Sequence, residues 1–212
     1  MKILYTLLPL LTIFTSTEVY SQEIEFEFFN GSELTEIGKA YDNQEGSATY
    51  TIDSTTLNAE AYLNDNSIGT VINGGADGLG INSIGTGDQT QRIDNINGIE
   101  KIIFSFNTAG TFKSINLRYI EESSDEAILE FSGGNTFNLN TATALSGEDD
   151  FLINELFSAG QEITLSISAN SELGENFALD SILVQIPEAN TASWIIPLIC
   201  ILFLASSRLL KN

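Results

Sequence analysis

Residues 100–121, EKIIFSFNTAGTFKSINLRYIE, contain two runs in which apolar and polar side chains alternate, separated by the turn formers Asn107 to Gly110. An alternation with a period of two residues predicts β-strands that bury one face. The same pattern recurs in other short segments of the chain. These segments are 24–28, 47–53, 58–64, 126–133, 135–140, 151–157, 162–169 and 177–186. The pattern predicts an all-β domain, an antiparallel β-sandwich of jelly-roll type.

Residues 64–98 interrupt this pattern, because Asn, Asp and Gly occupy 18 of the 35 positions. We expect a turn-rich loop region here with one or two short strands. Loops of this length are often functional, or they contain strands that the pattern conceals, and both explanations stay open. In the last predicted strand the apolar phase changes after Leu179, which predicts a β-bulge near Asp180 and Ser181.

The charge of the chain is strongly negative, with 29 acidic and eight basic residues and a formal net charge of −21. The segment 22–186 contains all but two of the acids and only five of the bases. Such a field repels phosphate backbones, so we expect no nucleic-acid partner. It is compatible with a solvated outer surface or with carboxylates that hold divalent cations.

The chain contains no histidine, and its single cysteine is Cys200 near the carboxyl end. Zinc sites built from Cys and His, and nucleophilic catalysis with a histidine base, are therefore excluded. Pairs of acids such as Asp149 and Asp150 are unavoidable in so acidic a chain and do not indicate a glycosidase. We expect no enzymatic activity and no cofactor, apart from a possible structural Ca²⁺.

The first 21 residues have the composition of an export signal. Lys2 forms a short positive region, and residues 3–14 form an apolar region of suitable length. Small or modest side chains precede a predicted cleavage between Ser21 and Gln22. The alternative is a buried amino-terminal helix of the core.

The carboxyl end contains a predicted transmembrane helix at about 193–207, within an uncharged segment that runs from Ala189 to Ser207. Arg208 and Lys211 form a basic membrane stop and would stay on the cytoplasmic side, which leaves residues 22–186 outside. The alternative is a carboxyl-terminal helix packed in the core of the domain.

The segment 187–212, PEANTASWIIPLICILFLASSRLLKN, resembles the PEP-CTERM sorting signal of Gram-negative bacteria. Pro187 and Glu188 match the first two positions of the motif, Ala189 replaces the usual second proline, and residues 208–212 form the basic end. The resemblance implies that an exosortase-type transpeptidase recognises and cuts the tail. It also implies delivery of the body, after transient membrane anchoring, to the cell surface or to the extracellular polysaccharide matrix.

The body carries a looser resemblance. Residues 75–83, 91–107 and 177–188 are similar to segments of β-sandwich proteins that bear such tails. FALDSILV, residues 177–184, is also similar to the last strand of jelly-roll carbohydrate-binding modules, in which an Asp lies near a structural calcium. This resemblance makes Asp180 a candidate metal ligand.

Two further kinds of site are considered from the residues themselves. The acidic turns 41–46, 73–78 and 92–98 offer oxygen ligands for calcium, and Asp180 needs a cation or hydrogen-bond donors if it is buried. The alternative is that Asp180 lies on a bulge and faces solvent or backbone amides. For sugar binding, Tyr41 and Tyr62 are the candidate contacts, because Tyr50 and Tyr119 share the phase of the predicted core.

These observations lead to three functional hypotheses. The first is an exported, non-catalytic structural component of the cell surface or matrix. The second is a carbohydrate-binding module that acts in the exopolysaccharide matrix. The third is a permanently anchored type I membrane protein, which differs from the first in that its tail is never cut.

Overall fold

The computed structural model describes residues 21–28, 44–45, 47–65, 71–75, 78–82, 92–120, 126–145 and 149–188. The predicted signal segment up to residue 20 and the predicted membrane helix at about 193–207 lie outside these ranges. The described residues form β-strands joined by turns. The strands are β1 (Ser21–Glu27), β2 (Gln44–Glu45), β3 (Ser47–Ile52), β4 (Thr55–Leu63), β5 (Val71–Gly75), β6 (Gly78–Asn82), β7 (Ile93–Asp94), β8 (Glu100–Phe106), β9 (Gly110–Arg118), β10 (Ala127–Phe131), β11 (Thr136–Leu139), β12 (Asp150–Phe157), β13 (Ile163–Ile167) and β14 (Asn176–Pro187).

These strands form two antiparallel sheets. The first sheet has the order β12-β9-β14-β6-β5-β2, and β1 and β7 also pair with β14. The second sheet has the order β11-β10-β13-β8-β4-β3. The consecutive strands β8 and β9 therefore belong to different sheets, so the turn between them carries the chain from one layer to the other. Within the described chain, β12 ends the first sheet and β11 ends the second.

The two sheets share one hydrophobic core, an arrangement consistent with a β-sandwich. Aromatic rings from the two sheets meet at ring-centroid distances between 4.8 and 5.9 Å. The pairs are Phe26 with Phe106, Phe28 with Tyr50, Phe106 with Phe157, and Phe112 with Phe131. The prediction of an all-β fold with antiparallel sheets is thus confirmed.

All ten segments with alternating side chains form strands. The region 64–98 differs from the expectation, because it contains three strands, β5, β6 and β7, rather than one or two. In β6 the isolated aliphatic residues Leu79 and Ile81 are fully buried. Their neighbours are mainly Gly and Asn, which conceal the alternation in the sequence.

The predicted bulge in the last strand is present. The pairing of β14 with β9 shifts its register between Leu179 and Ser181. As a result Leu179 on one side of the shift and Ile182 on the other are both buried. Asp180 lies at the shift and is half-buried.

Residues Glu23–Ile186 form one compact unit. In the part of the chain that the structure describes, no helix has the length and apolar character needed to cross a membrane.

Candidate functional site

A concavity of the described surface lies between the two terminal strands, β11 of the second sheet and β12 of the first. It has a volume of about 570 Å³. We call it the edge groove. Its lining residues are Thr136, Phe137, Asn138, Leu139, Thr143, Phe151, Leu152 and Ile153.

The edge groove combines a buried apolar base with an exposed rim. Leu139, Phe151 and Ile153 belong to the hydrophobic core, and Phe137 packs its ring at 6.0 Å from that of Phe131. Leu152 stands at the rim and is 58% exposed. The alternation along β11 and β12 produces this layout, since inward side chains join the core and the next ones reach the surface.

Hydrogen bonds hold both ends of the edge groove. At one end, the Asn135 amide Nδ2 donates to Glu155 Oε2 at 3.0 Å and joins the start of β11 to β12. At the other end, the Leu145 N–H donates to the Asp150 carbonyl at 2.8 Å. The Thr143 hydroxyl lies 3.0 Å from the Asn138 carbonyl and accepts the N–H of Asn140. Hydrogen bonds therefore connect the chain segments at both ends of the groove.

The side chains that line the edge groove carry no ionisable group. The lining therefore supplies no general acid, general base or carboxylate ligand. Its chemistry consists of the aromatic rings of Phe137 and Phe151, aliphatic surface, hydroxyls and one amide. Such a lining can bind a neutral molecule that presents both apolar and hydroxyl surface.

β12 itself is irregular. Its pairing with β9 shifts between Leu152 and Glu155, and Asn154 has φ of 53°, in the left-handed region. Such a bulge bends the strand and disrupts its ladder of hydrogen-bonding groups. The edge of β12 is thus poorly suited to accept an additional strand.

Tyr62, one of the predicted sugar contacts, lies elsewhere, on the solvent face of β4. Its hydroxyl donates to Glu60 Oε2 at 2.8 Å, and this bond, with smaller contributions from burial and nearby acids, raises the pKa of Tyr62. The Lys101 ammonium lies 5.8 Å from its ring centroid and pairs with Asp65. Tyr62 therefore belongs to a polar surface cluster rather than to the edge groove. Tyr41, the other candidate, lies outside the described residues.

Asp180, the candidate metal ligand, is half-buried at the bulge of β14. Burial raises the pKa of Asp180. The positive charge of Arg118 partly offsets this increase, and nearby acids, Glu27 foremost, add to it. Among the described residues, no group of three or more Asp, Glu or Cys side chains is placed to hold a metal ion.

The predicted calcium turn 92–98 is held by hydrogen bonds both within the turn and to residues 171–174. The fully buried Asp94 accepts the Ile96 N–H at 2.9 Å, and its own N–H donates to Glu100 Oε2 at 2.9 Å. The turns 41–46 and 73–78 lie partly outside the described residues.

Tyr119 departs from the expectation that it joins the core. The residue follows the last position of β9, has φ of 70° and is half-buried. The guanidinium carbons of Arg92 and Arg118 lie 3.7 and 5.8 Å from its ring centroid. The alternation of β9 does not extend to Tyr119, because the chain leaves the strand at this residue.

The predicted processing positions lie at the two ends of the described chain. Ser21 and Gln22 are the first residues of β1, and Pro187 is the last residue of β14; these three and Glu188 are exposed. Ala189, Arg208 and Lys211 lie outside the described residues.

The sequence offered only a weak signal for the edge groove. NTFNLN, residues 135–140, reads as a short strand, but nothing local indicates that this strand ends a sheet or faces β12. That placement depends on long-range pairing. Comparison with protein-family models, with curated proteins and with solved structures finds no match for this chain.

Proposed function

We propose that this protein is an exported, non-catalytic structural component of the cell surface or the extracellular matrix. In this proposal residues 1–21 are a signal peptide, 22–186 a jelly-roll body, and 187–212 a sorting signal with a transmembrane helix at about 193–207. An exosortase-type transpeptidase then releases the body from its transient membrane anchor. The observation that carries the proposal is the order of Pro187-Glu188, an uncharged segment and the terminal bases.

The ends of the body support this reading. Pro187 and Glu188 are exposed directly after the last core residue of β14, Ile186, so an enzyme can reach the motif without unfolding the strand. Cleavage after Ser21 removes one exposed residue of β1 and leaves the buried Ile24 and Phe26 in place. Processing at both ends is therefore compatible with an intact core.

The test is the processing of the full chain in Gram-negative cells that contain an exosortase. We expect the P187A/E188A variant to accumulate as a membrane-bound form of full length, whereas the wild type yields a shorter product at the surface or in the matrix. E172A/L173A, in an exposed turn away from the motif, is the matched control and should be processed like the wild type. A P187A/E188A product of unchanged size and location would contradict the proposal.

A permanently anchored type I protein is separated from this proposal by the same assay. If the wild type stays at full length in the membrane although the exosortase is active, the anchor is permanent. Release of the body without detergent from native cells supports sorting and cleavage.

A second candidate function is carbohydrate binding within the same matrix. The observation that favours it is the uncharged edge groove, which combines Phe137 and Leu152 with hydroxyl and amide groups. Retention of the protein on insoluble polysaccharide, reversed by soluble glycan, tests this function.

A further inference from the structure

We propose that the edge groove binds a short neutral glycan segment, such as a disaccharide unit of a neutral polysaccharide. The proposal deepens the second candidate function and rests on it, but it does not depend on the sorting of the tail. It names the place of binding, the class of ligand and the residues in contact.

The charge distribution around the edge groove favours a neutral ligand. The chain carries a formal net charge of −21, whereas the lining of the edge groove is uncharged. Uronate, sulfate or phosphate groups would meet repulsion from the surrounding acids, and no lining side chain offers a cation to offset it. Asp150 and Glu155, which flank the lining residues of β12, reinforce this preference. A neutral ligand avoids that cost.

The lining of the edge groove combines apolar and polar contacts. A sugar ring presents apolar C–H faces and a belt of hydroxyls, so it needs both kinds of contact. Phe137 and Leu152 supply the apolar surface, and the exposed lining residues Thr136 and Asn138 offer hydroxyl and amide groups at the rim. Thr143 bonds the backbone of Asn138 and Asn140, so its role is to position β11.

The size of the edge groove suits a short ligand. The volume of about 570 Å³ falls within the range of small-molecule sites, roughly 300–1,000 Å³. β11 has only four residues, and at about 3.4 Å per residue it spans little more than 10 Å. The hydrogen bonds near Asn135 and Leu145 limit the groove at both ends. A short segment fits this length.

The edge of β12 argues against an extended peptide as the occupant. A peptide that adds a strand needs a regular row of backbone donors and acceptors. The register shift between Leu152 and Glu155, with Asn154 in the left-handed region, interrupts that row. A glycan does not use such a ladder, so the bulge does not impede it.

The test measures how polysaccharides embedded in a native gel retard the purified full chain in mild detergent. The neutral polymers are dextran, galactan and mannan, and the charged comparison is alginate. We expect retardation by at least one neutral polymer and none by alginate. L152D should weaken this binding about tenfold or more, because it places a carboxylate at the rim of an uncharged site. N138A should weaken it several-fold without changing the thermal unfolding temperature.

L156D is the matched control. Leu156 lies on the same strand and is 75% exposed, but it does not line the edge groove. We expect L156D to bind like the wild type. Equal losses in L152D and L156D, absence of retardation by all three neutral polymers, or binding of alginate at least as tight as theirs would each overturn the proposal. So would competition by a poly(Thr-Val) peptide. None of these results bears on the processing assay, so the two proposals fail separately.

Discussion

At the scale of single residues, burial and hydrogen bonding are not always matched. The Tyr50 side chain is buried in β3, its ring lies 5.1 Å from that of Phe28, and its hydroxyl has no hydrogen-bond partner among the described residues. Burial raises the pKa of this phenol far above its usual range. The ring supplies the packing, while the hydroxyl carries a cost of desolvation.

We predict that Tyr50→Phe leaves the free energy of unfolding unchanged or raises it by up to about 1–2 kcal/mol, because it removes a buried polar atom and keeps the ring. Urea unfolding measures the change. Tyr62→Phe, on the solvent face of β4, is the control and should shift the free energy of unfolding by less than about 0.5 kcal/mol. A destabilisation of more than about 1 kcal/mol in Tyr50→Phe would contradict the prediction and reveal a strong hydrogen bond of this hydroxyl.

Asp180 leads to a prediction of pH dependence. Because its pKa is raised in the folded protein, the native state binds this proton more tightly than the unfolded chain does. The contribution of Asp180 to stability is therefore complete below the unfolded value of about 3.8 and is lost as pH rises through the folded value. We expect Asp180→Asn to be more stable than the wild type at pH 7, with the difference vanishing below about pH 3.8.

Thermal unfolding across this pH range measures that difference. Glu23→Gln, which removes an acid from the exposed end of β1, controls for the general effect of lowering the negative charge. If both variants raise the unfolding temperature equally at pH 7, the change in net charge, rather than the burial of Asp180, is responsible.

At the scale of elements, alternation was sufficient to predict ten of the strands, since each buries one face in the core and exposes the other. It did not reveal β2, β5, β6 or β7, because strands of two residues, or rich in Gly and Asn, contain too few side chains to show a period. The bulge in β14 could be predicted, because the change of phase after Leu179 is visible in the sequence.

The bulge in β12 was not predicted, and it provides a test at this scale. Asn154 has φ of 53°, where a β-branched side chain is unfavourable. We expect Asn154→Gly to be close to neutral and Asn154→Val to lower the free energy of unfolding by about 1–2 kcal/mol. Urea unfolding again measures both. Leu156→Val, at an exposed position of the same strand, should change the free energy of unfolding little. If Leu156→Val lowers it as much as Asn154→Val does, the bulge is not the explanation.

At the scale of the whole molecule, aromatic contacts between the two sheets hold the layers together. Phe106 of the second sheet touches both Phe26 and Phe157 of the first, at centroid distances of 5.9 and 4.8 Å. These three residues come from distant parts of the chain. Their contacts therefore join one sheet to the other.

We predict that Phe106→Ala lowers the free energy of unfolding by about 3–5 kcal/mol, because it leaves a cavity at the meeting point of the sheets. Chemical unfolding followed by near-ultraviolet circular dichroism measures this loss. Leu173→Ala is the control, since Leu173 is an exposed side chain in a turn. A loss below about 1 kcal/mol in Phe106→Ala would contradict a shared core.

Local patterns of the chain are enough to predict the class of the fold and to limit its chemistry. Alternation with a period of two is a local property, and so are the absence of histidine, the negative charge and the order of the terminal segments. Which strands end the sheets, and hence that β11 and β12 flank a groove, is visible only in the folded chain. The physical reason is that sheet order depends on pairing between distant residues, which local periodicity does not encode. Phe137 has the pattern of an ordinary strand residue, and only the place of β11 at the end of its sheet puts it beside the groove.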